Sequence, residues 1–354
     1  MSNSLLQRLY KAFSHDIGID LGTANTLVYI KGQGIVINEP SVVAVNQKTG
    51  RVVAVGAQAK NMLGRTPAHI SAVRPLVDGV ISDFEVAEEM MVYLINKAQS
   101  ESKKFFGPRV IVGIPSGVTN VEARAVRDAT KNAGAREVHI VEQPMAAAIG
   151  IGLPVNEPTG SMVVDIGGGT TDIGVASLGG LVNARNVKIA GDRFNSDIVS
   201  YIRSEFKILI GDKSAEDLKI AVGSALPSNE GIESVVRGRD LVTGLPREIV
   251  VTDSDVREAI AHSIEQLIDS IKEVLETTPP EVVSDILKRG IYLAGGGALI
   301  RELPRLLQEE LGVPVHVADD PLTAVVRGTG KILEDIAAYK EAFIHHDDAV
   351  SPQS

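Results

Sequence analysis

The sequence predicts an α/β protein of two related halves, each opening on a strand–turn–strand unit suited to a polyphosphate. Residues 17–27 read I-G-I-D-L-G-T-A-N-T-L and residues 163–173 read V-V-D-I-G-G-G-T-T-D-I. A constant offset of 145 residues superimposes Asp20 on Asp165, Gly22 on Gly167 and Thr26 on Thr171. Each copy is an apolar β-type run, an Asp at its end, a small-residue turn, a Thr and a second apolar run. That order describes a tight hairpin whose tip exposes backbone N–H groups and hydroxyls. Two such hairpins facing each other would grip a polyphosphate from both sides, with one Asp from each near its metal. The third observation is the alternation of strand-like and helix-period segments through both halves, which implies sheets covered by helices.

Taken in order, strand-like runs occupy 16–20, 26–30, 35–37, 41–45 and 51–55, the last two joined by the turn Gln47-Lys48-Thr49-Gly50. A helix is expected over 86–98 and a buried strand over 109–114. Thr119-Asn120-Val121-Glu122 reads as a capping box opening a helix that ends near Gly134. A short strand at 139–141 precedes a small-residue helix at 144–150, and the connector 153–160, with Pro154 and Pro158, reads as a hinge. The second half repeats the hairpin over 162–177. Ile198, Tyr201, Ile202 and Leu209 suggest a helix over 197–210. Val256, Ile260, Ile264, Leu267, Ile271 and Val274 form one stripe of a helix over 254–276, stopped by Thr277-Thr278-Pro279-Pro280. A strand at 290–294 runs into Gly295-Gly296-Gly297, and the tail beyond residue 345 is polar and expected to be disordered.

At 354 residues the chain has room for about two domains. Its hydrophobic fraction of 44% and charged fraction of 23% suit a folded soluble protein. A net charge of −10 argues against nucleic acid as a partner. With no cysteine, disulfides, thiolate zinc sites and a Cys nucleophile are excluded. No apolar run approaches the roughly 18 residues that span a bilayer, and the N-terminus lacks the pattern of a signal peptide, so an intracellular location is expected.

The chemistry follows from the residue types. Glycine lets backbone approach phosphate closely and threonine hydroxyls add donors. Gly22-Thr23-Ala24-Asn25 and Gly167-Gly168-Gly169-Thr170 supply both. Asp20 and Asp165, each at a strand end, suit binding of Mg²⁺ through its waters. Gly295-Gly296-Gly297 either passes beneath a base or α-phosphate or is a flexible strand-to-helix turn. Other nucleotide signatures fail: Gly330-Lys331 is followed by Ile332, Gly211-Asp212-Lys213-Ser214 has the wrong spacing for a P-loop, and no G-x-G-x-x-G occurs.

The segments G-I-D-L-G-T-A-N-T (18–26), E-Q-P-M-A-A-A-I-G (142–150), V-V-D-I-G-G-G-T-T-D (163–172) and L-A-G-G-G-A-L (293–299) resemble the actin and heat-shock-chaperone ATPase superfamily. K-N-M-L-G-R-T-P (60–67), R-P-L-V-D-G-V-I-S-D (74–83), R-D-L-V-T-G-L-P (239–246) and T-P-P-E-V-V-S-D-I (278–286) narrow the resemblance to the MreB family of bacterial actin homologues. The resemblance runs from about residue 15 to about residue 335. It implies an actin-like ATPase fold of duplicated ribonuclease-H-like domains, with four subdomains around a nucleotide cleft. Domain I is expected over 15–150 plus 325–345, with a small subdomain at about 33–74. Domain II is expected over 151–324, with a small subdomain at about 190–255. ATP and Mg²⁺ are implied as ligands. Glu216, Asp217, Leu218 and Lys219 match nucleoside-contacting positions, and Gly296, Gly297, Ala298 and Leu299 match the loop beneath the nucleoside.

The family usually has E-E-P before the small-residue helix, its second Glu positioning the attacking water together with the Thr that matches Thr170. This chain has Gln143 there, after Glu142; a Gln cannot act as a general base but orients water by accepting its hydrogen bond, and actin itself uses Gln. Asp172 replaces the usual Glu and keeps its charge.

Two elements point to a membrane. Leu5, Leu6, Leu9, Tyr10 and Phe13 fall on one side of a helix flanked by Arg8 and Lys11, with no acidic residue before Asp16. That stripe suits an anionic membrane surface, and equally a helix packed on the protein's own body or a disordered leader. Phe105-Phe106 is either a core anchor or an exposed tip, and the resemblance favours insertion, because the family carries an apolar loop there. The resemblance further implies self-assembly into filaments at the inner face of the cytoplasmic membrane, alongside cell-wall elongation membrane proteins. Three rivals share the fold: a sugar kinase, a chaperone-type ATPase and a plasmid-segregating actin. The first needs a dedicated substrate insertion, the second an appended peptide-binding domain, and the third should lack the membrane elements.

Overall fold

A computed structural model describes residues 16–99, 107–227 and 231–344. Leu5, Leu6, Leu9, Phe13, Phe105 and Phe106 lie outside the described residues, as does the tail beyond 345. The chain forms two units. Unit 1 comprises Met1–Glu157, Leu178–Leu181 and Val325–Ser354, and unit 2 comprises Pro158–Ser177 and Val182–Ala324.

In unit 1, β1 (Ile17–Leu21), β2 (Asn25–Ile30) and β3 (Gly34–Pro40) form an antiparallel run. A three-stranded sheet of β4 (Val43–Asn46), β5 (Val52–Val55) and β6 (Ile70–Val73) follows, with β4 central and α1 (Ala57–Met62) beside it. Its small core is Val42, Ala44 and Ala59. A two-stranded hairpin, β7 (Leu76–Val77) and β8 (Val80–Ile81), leads to α2 (Phe84–Gln99). Strand β9 (Arg109–Ile114), α3 (Asn120–Asn132), β10 (Glu137–Glu142) and α4 (Gln143–Ile151) complete the N-terminal part. The main sheet has the order β10-β9-β1-β2-β3, with β1, β9 and β10 parallel. Ile17, Ile19, Val28, Val110, Val112 and Ile140 are fully buried and pack with Met90, Leu94 and Ile95 of α2. The apolar spacing of three and four on α2 exists to cover that sheet. The expected capping box is present: the Thr119 hydroxyl accepts from Glu122 N, and the Glu122 carboxylate accepts from Thr119 N at 2.7 Å.

Unit 2 repeats the arrangement. Its sheet has the order β13-β12-β11-β17-β18, from β11 (Ser161–Ile166), β12 (Thr171–Ser177), β13 (Gly180–Val187), β17 (Ile291–Ala294) and β18 (Val315–Val317). The duplication extends to register. Asp20 pairs with Leu27 and with Gly113, and Asp165 pairs with Asp172 and Ala294. The helices are α5 (Gly191–Glu205), α6 (Asp212–Val222), α7 (Asp253–Thr277), α8 (Pro280–Arg289) and α9 (Leu303–Leu311). A second three-stranded sheet has β15 (Glu233–Asp240) between β14 (Ile208–Leu209) and β16 (Pro246–Thr252). The stripe expected on α7 is buried from Val256 to Val274, and Thr252 caps that helix reciprocally with Asp255. The last helix, α10 (Ala324–Glu334), begins where the chain returns to unit 1.

The helix expected over 197–210 is displaced. It starts at Gly191 and stops at Glu205, and Ile208–Leu209 is a strand. Its start is set by tertiary contact, because Gly191 N and Asp192 N donate to Gly167 O and Gly168 O. Its end is set by Lys207, whose φ of 56° breaks helical geometry and turns the chain into β14. Pro280 does not only stop α7: it opens α8 from its first turn, where a missing N–H costs nothing.

Candidate functional site

The unit 1 turn is braced from outside. Ser41 Oγ donates to Gly22 O at 2.5 Å and lies 2.8 Å from Thr26 Oγ1, while Ser41 N donates to Ala24 O at 3.0 Å. Gly79 N, at the tip of the β7–β8 hairpin, donates to Thr23 Oγ1 at 3.1 Å. The turn is too tight at Gly22 for any other residue, since a Cβ there would lie 2.5 Å from Asn25 O. Asp20, at the end of β1, accepts from Gln143 Nε2 at 3.1 Å. Gln143 is the first residue of α4, a helix buried from Gln143 to Gly150. Glu142 points elsewhere. Burial raises its carboxyl above the usual range, opposed by hydrogen bonds from the Ser116 side chain and Gly117 N. The structure therefore brings Gln143 to Asp20 and sends Glu142 to the loop after β9.

In unit 2, Gly167 N donates to Thr170 O at 2.9 Å and closes the turn. Thr170 is buried, and its hydroxyl donates to Asp172 Oδ2 at 3.4 Å. The carbonyls of Gly167 and Gly168 accept from Gly191 N at 3.1 Å and Asp192 N at 2.7 Å, so the first turn of α5 backs the loop. Lys219 Nζ donates to Gly191 O at 3.0 Å. Burial pushes the Lys219 ammonium below the usual lysine range, countered by the charges of Glu216 and Asp192. Gly167, Gly168, Glu216 and Lys219 thus converge around the start of α5. The helical period separates the rest of the quartet: Leu218 packs in the core, and Asp217 pairs with Lys213 at 2.8 Å on an exposed face. The loop 295–299 lies against the end of β11. A Cβ on Gly295 (φ 76°) would stand 2.6 Å from Asp165 Oδ1 and 2.3 Å from Ile166 O. Gly296–Leu299 is a single 3₁₀ turn with Ala298 buried and Leu299 exposed.

Sequence reasoning missed Ser41, Gly79, Gly191 and Asp192. Ala190-Gly191-Asp192 carries a faint signal, a small-residue step followed by an acid between a strand and a helix.

The family model described as MreB/Mbl protein matches residues 14–341. The chain belongs to the MreB/Mbl family. It is 52% identical over 336 residues to the cell shape-determining protein MreB of Escherichia coli strain K12, covering 94% of this chain and 97% of that one. MreB5 of Spiroplasma citri bound to ADP superimposes with a TM-score of 0.87 at 40% identity, covering 91% of this chain and 97% of that one. The same protein bound to AMPPNP gives 0.86, covering 93% and 98%. The MamK double helical filament, at 23% identity and a TM-score of 0.76, shares the fold over 91% of this chain and 99% of that one. The fold is accordingly the actin-like ATPase fold, of the type that holds adenine nucleotides in the Spiroplasma relative.

The residues present fit a metal-bound polyphosphate. Each turn opens on a glycine packed against its own backbone, Gly22 against Asn25 O and Gly167 against Thr170 O, and each follows a strand bearing a carboxylate. Among the described residues no three acidic or histidine groups converge as a metal cage. A lone carboxylate at each turn suits a cation that keeps most of its waters, not one caged by protein ligands. Among the described residues no helix is long and apolar enough to cross a membrane.

Proposed function

We propose that this MreB/Mbl-family chain is a cell-shape-determining bacterial actin homologue that assembles with ATP into filaments and hydrolyses the ATP slowly. The observation that carries the reading is the matched register of the two turns, with Gln143 hydrogen-bonded to Asp20 at the first of them. Gly22–Asn25 in unit 1 and Gly167–Gly169 in unit 2 serve as phosphate-binding loops. Glu216, Lys219 and the 295–299 loop serve the nucleoside. Asp20 and Asp165 are the groups to hold Mg²⁺ through water, and the ion, when bound, neutralises phosphate charge.

Hydrolysis needs a water aimed at the terminal phosphorus. With its Nε2 engaged by Asp20, Gln143 presents its carbonyl oxygen as an acceptor. The family resemblance assigns the Thr170 hydroxyl a second polar contact. Neither is a strong base, which suits a slow reaction. The relative crystallised with both ADP and AMPPNP supports adenine nucleotides as ligands. The two separate three-stranded sheets support small subdomains at about 33–74 and 190–255, within domain I over 15–150 plus 325–345 and domain II over 151–324.

Head-to-tail contacts that do not close into a ring give a filament. Many weak apolar insertions from 1–13 and Phe105-Phe106 then add by avidity, so polymer binds the inner face of the cytoplasmic membrane and monomer leaves it. Such a filament would organise cell-wall elongation proteins and maintain rod shape.

The test is phosphate release and nucleotide binding by the purified full chain, alongside Asp20→Ala and Asp165→Ala. Loss of Mg-ATP binding in both variants is expected. Undiminished binding in either removes that turn from the site. Deleting residues 1–13 should abolish co-pelleting of polymer with anionic liposomes while leaving polymer mass unchanged.

A further inference from the structure

We propose that Lys219 is a positioning residue for the phosphate loop of unit 2, acting through Gly191, so that its loss weakens binding of the phosphates as well as the nucleoside. The inference rests on the reading of that loop as a phosphate site, and deepens it.

The geometry forms a chain of three links. Lys219 Nζ donates to Gly191 O at 3.0 Å, tying α6 to the first residue of α5. Gly191 N and Asp192 N donate to Gly167 O and Gly168 O. No peptide bond in the described chain is cis. In a trans peptide the N–H points opposite to the preceding carbonyl. Because the carbonyls of Gly167 and Gly168 are turned toward α5, the amides of Gly168 and Gly169 are turned away from it. Those two amides are the donors a phosphate oxygen would meet, and the start of α5 decides where they point.

The loop cannot set this direction alone. Three successive glycines have the widest conformational freedom available to a chain. Closure by Gly167 N to Thr170 O fixes the span of the turn but not the tilt of its middle peptides. The contact at Gly191 is close: a Cβ there would lie 3.3 Å from Lys219 Nζ and 3.4 Å from Gly167 O. Glu216 and Asp192 flank the ammonium and help keep it charged in a partly buried place.

A nucleoside contact alone and a bracing role separate in one series. Affinities of wild type and Lys219→Met for AMP, ADP and AMPPNP are measured at low and high salt. A nucleoside contact gives the same fold-loss for all three. Bracing gives a loss that grows along the series by about tenfold from AMP to AMPPNP. Bracing also persists at high salt, where simple attraction of phosphate to the lysine charge is screened. A uniform loss, or a growth that salt removes, overturns the proposal.

Amide exchange without nucleotide gives a second reading that does not depend on ligand. In Lys219→Met the Gly191 and Asp192 amides should lose protection at least about tenfold, because the start of α5 that carries them is no longer tied to α6. Unchanged protection overturns the bracing link even if nucleotide binding falls. If no nucleotide binds wild type at all, the functional reading fails while the exchange result still decides the link. Should Lys219→Met not fold, Lys219→Gln, neutral and shorter, is read in the same way.

Discussion

Gln143 and Glu142 are neighbours with opposite assignments. Gln143 is fixed to Asp20, and its amide is suited to orienting water, not to accepting its proton. Gln143→Ala should lower single-turnover ATP hydrolysis by roughly 10²-fold, within the range of a lost positioning group, while nucleotide affinity changes less than about threefold. An unchanged rate would remove Gln143 from the mechanism. Glu142 is held above its unfolded value by burial, despite Ser116 and Gly117. A carboxyl raised in the fold contributes stability below its unfolded pKa and loses it as pH rises through the folded one. Glu142→Gln should therefore melt higher than wild type at pH 8, with the gap closing toward pH 4; a constant gap would contradict this. At this scale the sequence made Asp20, Asp165 and the glycines legible, because their types and spacing repeat. Ser41 and Gly79 were not, since their role comes from strands and hairpins that fold back onto the turn.

Elements with their own local signals could be read directly. Arg109–Ile114 has the expected bounds, and α3 and α7 announce themselves by reciprocal caps and a regular stripe. Helix α5 could not, because its first hydrogen bonds go to a distant turn and its apolar stripe begins later than its backbone. Helix α10 went unread for a related reason. Gly328 and Gly330 argue against a helix by propensity, yet Gly328 is required, since a Cβ there would stand 1.8 Å from Ala146 O of α4. Gly328→Ala should thus destabilise despite its better helix propensity, by about 2 kcal/mol or more, against the roughly 0.5–1 kcal/mol an exposed Gly→Ala would gain. Thermal melting of the variant checks the sign, and a rise in Tm would show that α4 and α10 can separate freely.

Across the whole molecule the duplicated register is the deepest regularity. The two main sheets share strand order, and each central strand carries an Asp one residue before its end, paired across the hairpin with a residue at the same offset of 145, Leu27 and Asp172. This was legible because the offset holds for a whole strand–turn–strand unit, which chance hairpins do not do. The small sheet of unit 2 was harder to read. Val235 and Val250 face outward there, so alternation marks its strands poorly. The family places the chain among actin homologues. Assembly is the claim on which the rest depends. Sedimentation and electron microscopy of the purified full chain with Mg-ATP, Mg-ADP and no nucleotide test it most directly. Filaments that require Mg-ATP and recede after hydrolysis are expected, with Asp165→Ala remaining in the supernatant. A protein that binds ATP yet stays monomeric at every concentration and nucleotide state would contradict the cytoskeletal reading.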